Sequence, residues 1–84
     1  MSIGFYFAEG PNGPIAVADV DHTLLMDKGR AATIRKRLSA ACGGAPVLLR
    51  CCLGETVLLD GPEHLFRYAF DAELQSRPLL SASI

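Results

Sequence analysis

The sequence predicts an α+β fold, a small two-layer sandwich in ββαββα order whose four-stranded, mainly antiparallel sheet carries two helices. Three observations predict it. Two segments rich in β-formers, "IGFYFAE" and "IAVADVDHTLL", flank the turn-forming "GPNGP". A second strand-turn-strand pattern, "APVLLRCCLGETVLLDG", follows later. After each pattern comes a stretch whose apolar residues recur at helical spacing. At 84 residues the chain reads as one domain, 1–84, with residues 78–84 as an edge strand or a frayed tail.

In the first strand, alternation sets Ile3, Phe5 and Phe7 on one face and Tyr6 and Ala8 on the other. The loop of about five residues that follows predicts a hairpin, with the second strand running on through "HTLL". Asp27 then offers a helix cap, and "KGRAATIRKRLSAACGG" follows. Ala31, Ile34, Leu38 and Ala41 form its apolar stripe, with Arg30 and Arg37 flanking one side and Arg35 the other. Gly43 and Gly44 end it. In the second hairpin, Gly54-Glu55 fits a type II′ turn, which pairs Leu53 with Thr56, Cys52 with Val57 and Cys51 with Leu58. Both faces are then apolar except for Arg50, opposite Leu59, so both need cover from the chain's own helices or from a second chain. The last helix opens with Asp60, Pro62 and Glu63 in a pattern like a capping box. Its expected apolar face is Leu65, Phe66, Ala69, Phe70 and Leu74, with Phe66 and Phe70 as anchors.

Composition narrows the class of function without naming one. Half the residues are apolar, a fifth are charged, and the net charge is −1, which is far from the disordered regime. So high an apolar share in so short a chain predicts a homodimer, because a small domain cannot hide all of that surface within itself. Cys42, Cys51 and Cys52 make an odd number with no metal-ligand spacing, and read as reduced thiols. With no basic leader at the start and no apolar run of about 20 residues, the expected location is the cytoplasm, with no membrane partner.

The stretch "ADVDHTLL" carries the most chemistry. It resembles the first motif of the haloacid dehalogenase-like phosphatases, Asp-x-Asp-x-Thr-Leu after an apolar strand, over about ten residues. The resemblance implies a nucleophile at Asp19, a general acid/base at Asp21 and a magnesium ion that neutralises the phosphate. This chain has His22 where the family has glycine. "VLLRCCLG" supplies no hydroxyl residue at a later strand end, and both lysines, Lys28 and Lys36, follow the motif at once. The residues themselves favour a simpler reading: Asp19 and Asp21 on the wet face of an amphipathic or edge strand, where acids discourage edge-to-edge pairing.

Lys28, Arg30, Arg35, Lys36 and Arg37 are five of the eight basic residues. On helix 28–42, Arg30, Arg35, Lys36 and Arg37 form a candidate patch for nucleic-acid phosphates, but no aromatic residue interleaves with them for base stacking. Neither a phosphate-binding glycine loop nor a nucleophile-base-acid arrangement is legible, and the sequence calls for no cofactor or metal. The favoured reading is a non-enzymatic protein-interaction module that self-associates or binds another protein. The alternatives are a nucleic-acid-associated regulator using the basic helix, and a phosphoryl-transfer or metal site at Asp19 and Asp21.

Overall fold

Residues 15–18, "IAVA", contain no polar side chain, and a strand of that kind needs cover on both faces. The computed structural model describes residues 1–70 and 77–84. Its strands are β1 (Ser2–Gly10), β2 (Gly13–Asp19), β3 (Val47–Leu53), β4 (Thr56–Asp60) and β5 (Leu80–Ser83). Its helices are α1 (His22–Met26), α2 (Lys28–Ala41) and a 3-10 helix, Glu63–Phe70. The strands form one mixed sheet in the order β4-β3-β2-β1-β5, with "IAVA" on the central strand. β1 pairs antiparallel with β2 and with β5, and β3 pairs antiparallel with β4. β2 and β3 are parallel, Ala16 to Asp19 lying beside Val47 to Arg50.

The α+β class therefore holds, while the expected four-stranded, mainly antiparallel sheet in ββαββα order is corrected to five strands with a parallel pair at the centre. The reason lies in α2. A helix that runs back along the sheet returns the chain to the end where β2 began, and a strand that starts there beside β2 runs parallel to it. The C-terminal segment supplies the fifth strand: of the two alternatives, edge strand or frayed tail, it takes the edge strand. β5 is zipped to β1 from Ser2↔Ser83 to Phe5↔Leu80, and the Ile84 N–H donates to the Met1 carbonyl at 2.7 Å.

Both hairpins form. The first is tighter than expected, with Gly10 facing Gly13 across Pro11-Asn12. The second has the expected register, Leu53↔Thr56, Cys52↔Val57, Cys51↔Leu58 and Arg50↔Leu59. Gly54 takes φ +61° while Glu55 stays out of the left-handed region, as a type II′ turn demands. After β4 the chain turns sharply at Gly61, where φ is +144°. A Cβ there would stand 2.7 Å from Leu48 Cδ2 and 2.9 Å from the Val47 carbonyl oxygen, so only glycine fits.

β2 ends at Asp19, not at Leu25. The sequence "HTLL" is helical because Asp21, with extended backbone, stands at the N-cap and α1 turns Leu24 and Leu25 together into the core. Next to α1, Asp27 caps α2: its Oδ1 accepts from the Arg30 N–H at 3.2 Å. At the far end the Gly44 N–H donates to the Ser39 carbonyl at 2.8 Å. One sheet face, with Ile3, Phe5, Ala16, Ala18, Val47, Leu49 and Cys51, packs on Leu24, Leu25, Ala31, Ile34 and Leu38 of the helices. The other, with Ala8, Ile15, Val17 and Leu48, packs on Leu65 and Ala69 of the 3-10 helix.

That 3-10 helix is the largest departure from the expected anchors. Phe66 is half-buried and Phe70 is 59% exposed, whereas Leu65 and Ala69 are buried. Apolar residues at 65, 66, 69 and 70 give a stripe two residues wide, and a small rotation selects the inner pair. The small Ala69 side chain lets the backbone approach the sheet closely enough for Arg50 to reach its carbonyl at 2.8 Å. Leu74 lies outside the described residues. Asp60, expected as a helix cap, instead closes β4 as a buried residue.

Candidate functional site

The strand ends on one side of the parallel pair gather most of the buried charge. Asp19 closes β2 and Arg50 lies beside it on β3. Arg50 has a side chain only 7% exposed. Its Nε donates to Asp19 Oδ1 at 2.7 Å and its NH2 group to Asp19 Oδ2 at 3.0 Å, a bidentate pair. Its NH1 group donates to the Ala69 carbonyl at 2.8 Å. The hydrogen bonds that Asp19 accepts hold the guanidinium more firmly charged than usual, against the desolvation of its strand position. Asp19 is thus the counter-ion of a buried arginine, on the central strand and not on an edge strand. Both its oxygens are already hydrogen-bonded, which works against a nucleophilic role.

Asp21 is set differently. It is exposed, accepts from the Thr23 hydroxyl at 2.7 Å, and lies 3.2 Å from His22 Nδ1. The Thr23 hydrogen bond is the main cause that lowers its pKa from the ordinary value, and the neighbouring His22 adds to it. The two aspartates therefore have different partners: one is tied to Arg50 and the other to the first turn of α1. Among the described residues, no group of three His, Cys, Asp or Glu side chains is placed to hold a metal ion.

The basic residues of α2 divide by direction. Lys28 Nζ donates to Asp60 Oδ2 at 3.1 Å. Arg35 Nε lies 2.6 Å from Asp60 Oδ1, an ion pair outside hydrogen-bonding geometry. These two cations neutralise a carboxylate whose side chain is only 9% exposed, and so fasten α2 to the end of β4. Arg30 and Arg37 project from the opposite flank and, with Met1, line an open groove. Lys36 lies on the Arg35 side, the two lining one shallow depression with Ala32, Ser39 and Pro62. The four candidate phosphate contacts therefore fall in two pairs on different flanks, Arg30 with Arg37 and Arg35 with Lys36.

All three thiols are free. Cys51 is buried, Cys42 half-buried and Cys52 exposed. Desolvation pushes the Cys51 thiol up, and nearby Asp21 and Asp19 add to the shift; burial alone raises Cys42. Both shifts favour the protonated thiol over the thiolate.

Sequence reasoning passed over the Arg50–Asp19 and Asp60–Arg35–Lys28 groups. A signal for the first was present: one arginine in an otherwise apolar strand face must find an acceptor pair, and Asp19 ends the neighbouring run. The second was hidden because Asp60 also satisfies a helix-cap pattern.

Comparison with protein-family models, with curated proteins and with solved structures gives no significant match. No helix among the described residues is long and apolar enough to cross a membrane.

Proposed function

We propose that the protein is a non-enzymatic interaction module that self-associates through the outer edge of β5. The observation that carries this reading is the character of that edge. Residues 79–84, "LLSASI", contain no charge and no proline, although edge strands commonly carry one or the other to block pairing. Leu79 and Leu80 are 65% and 38% exposed. Leu79 packs over Gly4, and Leu80 shares a shallow, mainly apolar depression with Phe7, Pro78 and Arg77. The opposite edge, β4, lies between Glu55 and the engaged Asp60.

The uncharged edge favours a second copy as the partner. Two β5 strands meeting antiparallel about a two-fold axis oppose no like charges, and the same patch serves both subunits. Four residues of strand pairing alone fall short of a standard interface of about 800 Å² per partner, so the apolar margin around Phe7, Leu79 and Leu80 contributes the rest. The apolar hairpin surface is less demanding here, since β3 is buried from Val47 to Cys51 and only Cys52 and Leu53 at its end are exposed.

Light scattering or sedimentation at micromolar concentration should show about twice the 9.0 kDa chain mass. Leu80→Lys places a charge on the edge and should return the mass to that of one chain. A monomeric wild type, or a Leu80→Lys variant that stays dimeric, would sink the reading.

A further inference from the structure

We infer that the groove between the start of β1 and the outer flank of α2 docks an acidic, amphipathic helix of a partner protein. The groove is open, about 260 Å³, and lined by Met1, Gly29, Arg30, Thr33, Ile34 and Arg37. Its floor is apolar: Met1 is 63% exposed and Ile34 is the innermost residue of the wall. Its rim is cationic. Arg30 and Arg37 are exposed and, among the described residues, neither makes an ion pair, in contrast to Arg35 and Lys28 on the other flank. No acid lines the groove. Thr33 donates its hydroxyl back to the Gly29 carbonyl at 3.0 Å, so the wall offers guanidinium groups as its free donors.

Charge and spacing together specify the occupant. Arg30 and Arg37 are seven residues apart on one helix, about 10.5 Å along the axis at a rise of 1.5 Å per residue. Two carboxylates seven residues apart on a second helix repeat that distance, and the residue three or four positions after the first acid falls between them on the same face. An apolar side chain there meets Met1, while the acids reach the two guanidiniums in bidentate geometry. Nucleic acid fits less well. Two cations are few beside the roughly six to ten phosphate contacts of a typical binder, and no aromatic ring lines the groove for stacking.

The site lies on a different surface from the β5 edge, so the two readings fail separately. The test is fluorescence anisotropy of the full chain with a labelled synthetic helix of about 20 residues, carrying glutamates about seven residues apart with leucine between them. A copy with glutamine for each glutamate and a labelled oligothymidylate are the comparison probes. The acidic helix should bind saturably. Its glutamine copy, and an Arg30→Ala/Arg37→Ala double variant against the acidic helix, should each bind at least about fivefold more weakly, as two exposed charge pairs allow. Lys36→Ala should bind like the wild type, and so should Leu80→Lys, whatever its oligomeric state. Thermal melts establish that each variant is folded. Absence of binding, equal binding of the glutamine helix, undiminished binding by the double variant, or preference for the oligothymidylate would each overturn the inference.

Discussion

Arg50 gives up most of its hydration to stand in β3, and three hydrogen bonds that it donates replace it: two to Asp19 and one to the Ala69 carbonyl. Such a pair is weak evidence of net stability, but breaking it is costly, because the remaining charge has no water to return to. Asp19 is about half exposed, which discounts the effect. Asp19→Ala is expected to cost about 1–3 kcal/mol in chemical denaturation, well above the roughly 0.5 kcal/mol of a solvated surface acid. A cost within that smaller range would show that Arg50 finds equivalent acceptors elsewhere. Asp21 calls for a different measurement. Thr23 donates to it and lowers its pKa, so Thr23→Val should raise that pKa, as read from an NMR titration of the carboxyl carbon. Because the folded-state pKa is depressed, the contribution of Asp21 to stability is present above the unfolded-state pKa. It fades as pH falls through the lower folded value. An unchanged titration in Thr23→Val would assign the shift to His22 instead.

At the scale of elements, the legible parts were those with local chemistry. α2 begins at the Asp27 cap and ends just before Gly43 and Gly44, and the β3-β4 register follows from Gly54 alone, because caps and tight turns are decided within a few residues. α1 was not legible: Leu24 and Leu25 continue an apolar run that reads as strand, and the Asp21 N-cap becomes visible only once β2 is known to stop at Asp19. The Phe66 and Phe70 anchors failed for a related reason. Hydrophobicity alone favours the larger side chains, but burial depends on which pair the sheet can approach, and Ala69 permits the closer contact. The structure therefore reverses the expected mutational order. Leu65→Ala should cost about 2–5 kcal/mol as a buried truncation, and Phe70→Ala should stay within about 0.5 kcal/mol as an exposed one. A larger loss at Phe70 than at Leu65 in urea titrations would contradict this orientation of the 3-10 helix.

At the scale of the molecule, the parallel β2-β3 pair could not be read from the order of elements, because that order is equally compatible with two antiparallel hairpins placed side by side. What selects the mixed sheet is burial: β2 is enclosed from Ile15 to Ala18, as a central strand must be, and only neighbours on both sides supply that enclosure. With β3 and β1 flanking β2, β4 and β5 become the edges, and the excess apolar surface moves from the hairpin to the margin of β5. This placement links self-association to stability. If two chains share the β5 edge, unfolding separates them, and mass action makes the melting temperature rise with protein concentration. The wild type should show that rise across a hundredfold range of concentration, about 2.7 kcal/mol of linkage per hundredfold excess over the dissociation constant. Leu80→Lys should melt at one temperature throughout, close to that of the dilute wild type, because Leu80 lies on the outermost strand and is already partly exposed. A wild-type midpoint that does not move with concentration would mean that Leu79 and Leu80 are not covered by a second copy. A Leu80→Lys midpoint far below the dilute wild type would mean that Leu80 serves its own chain's core.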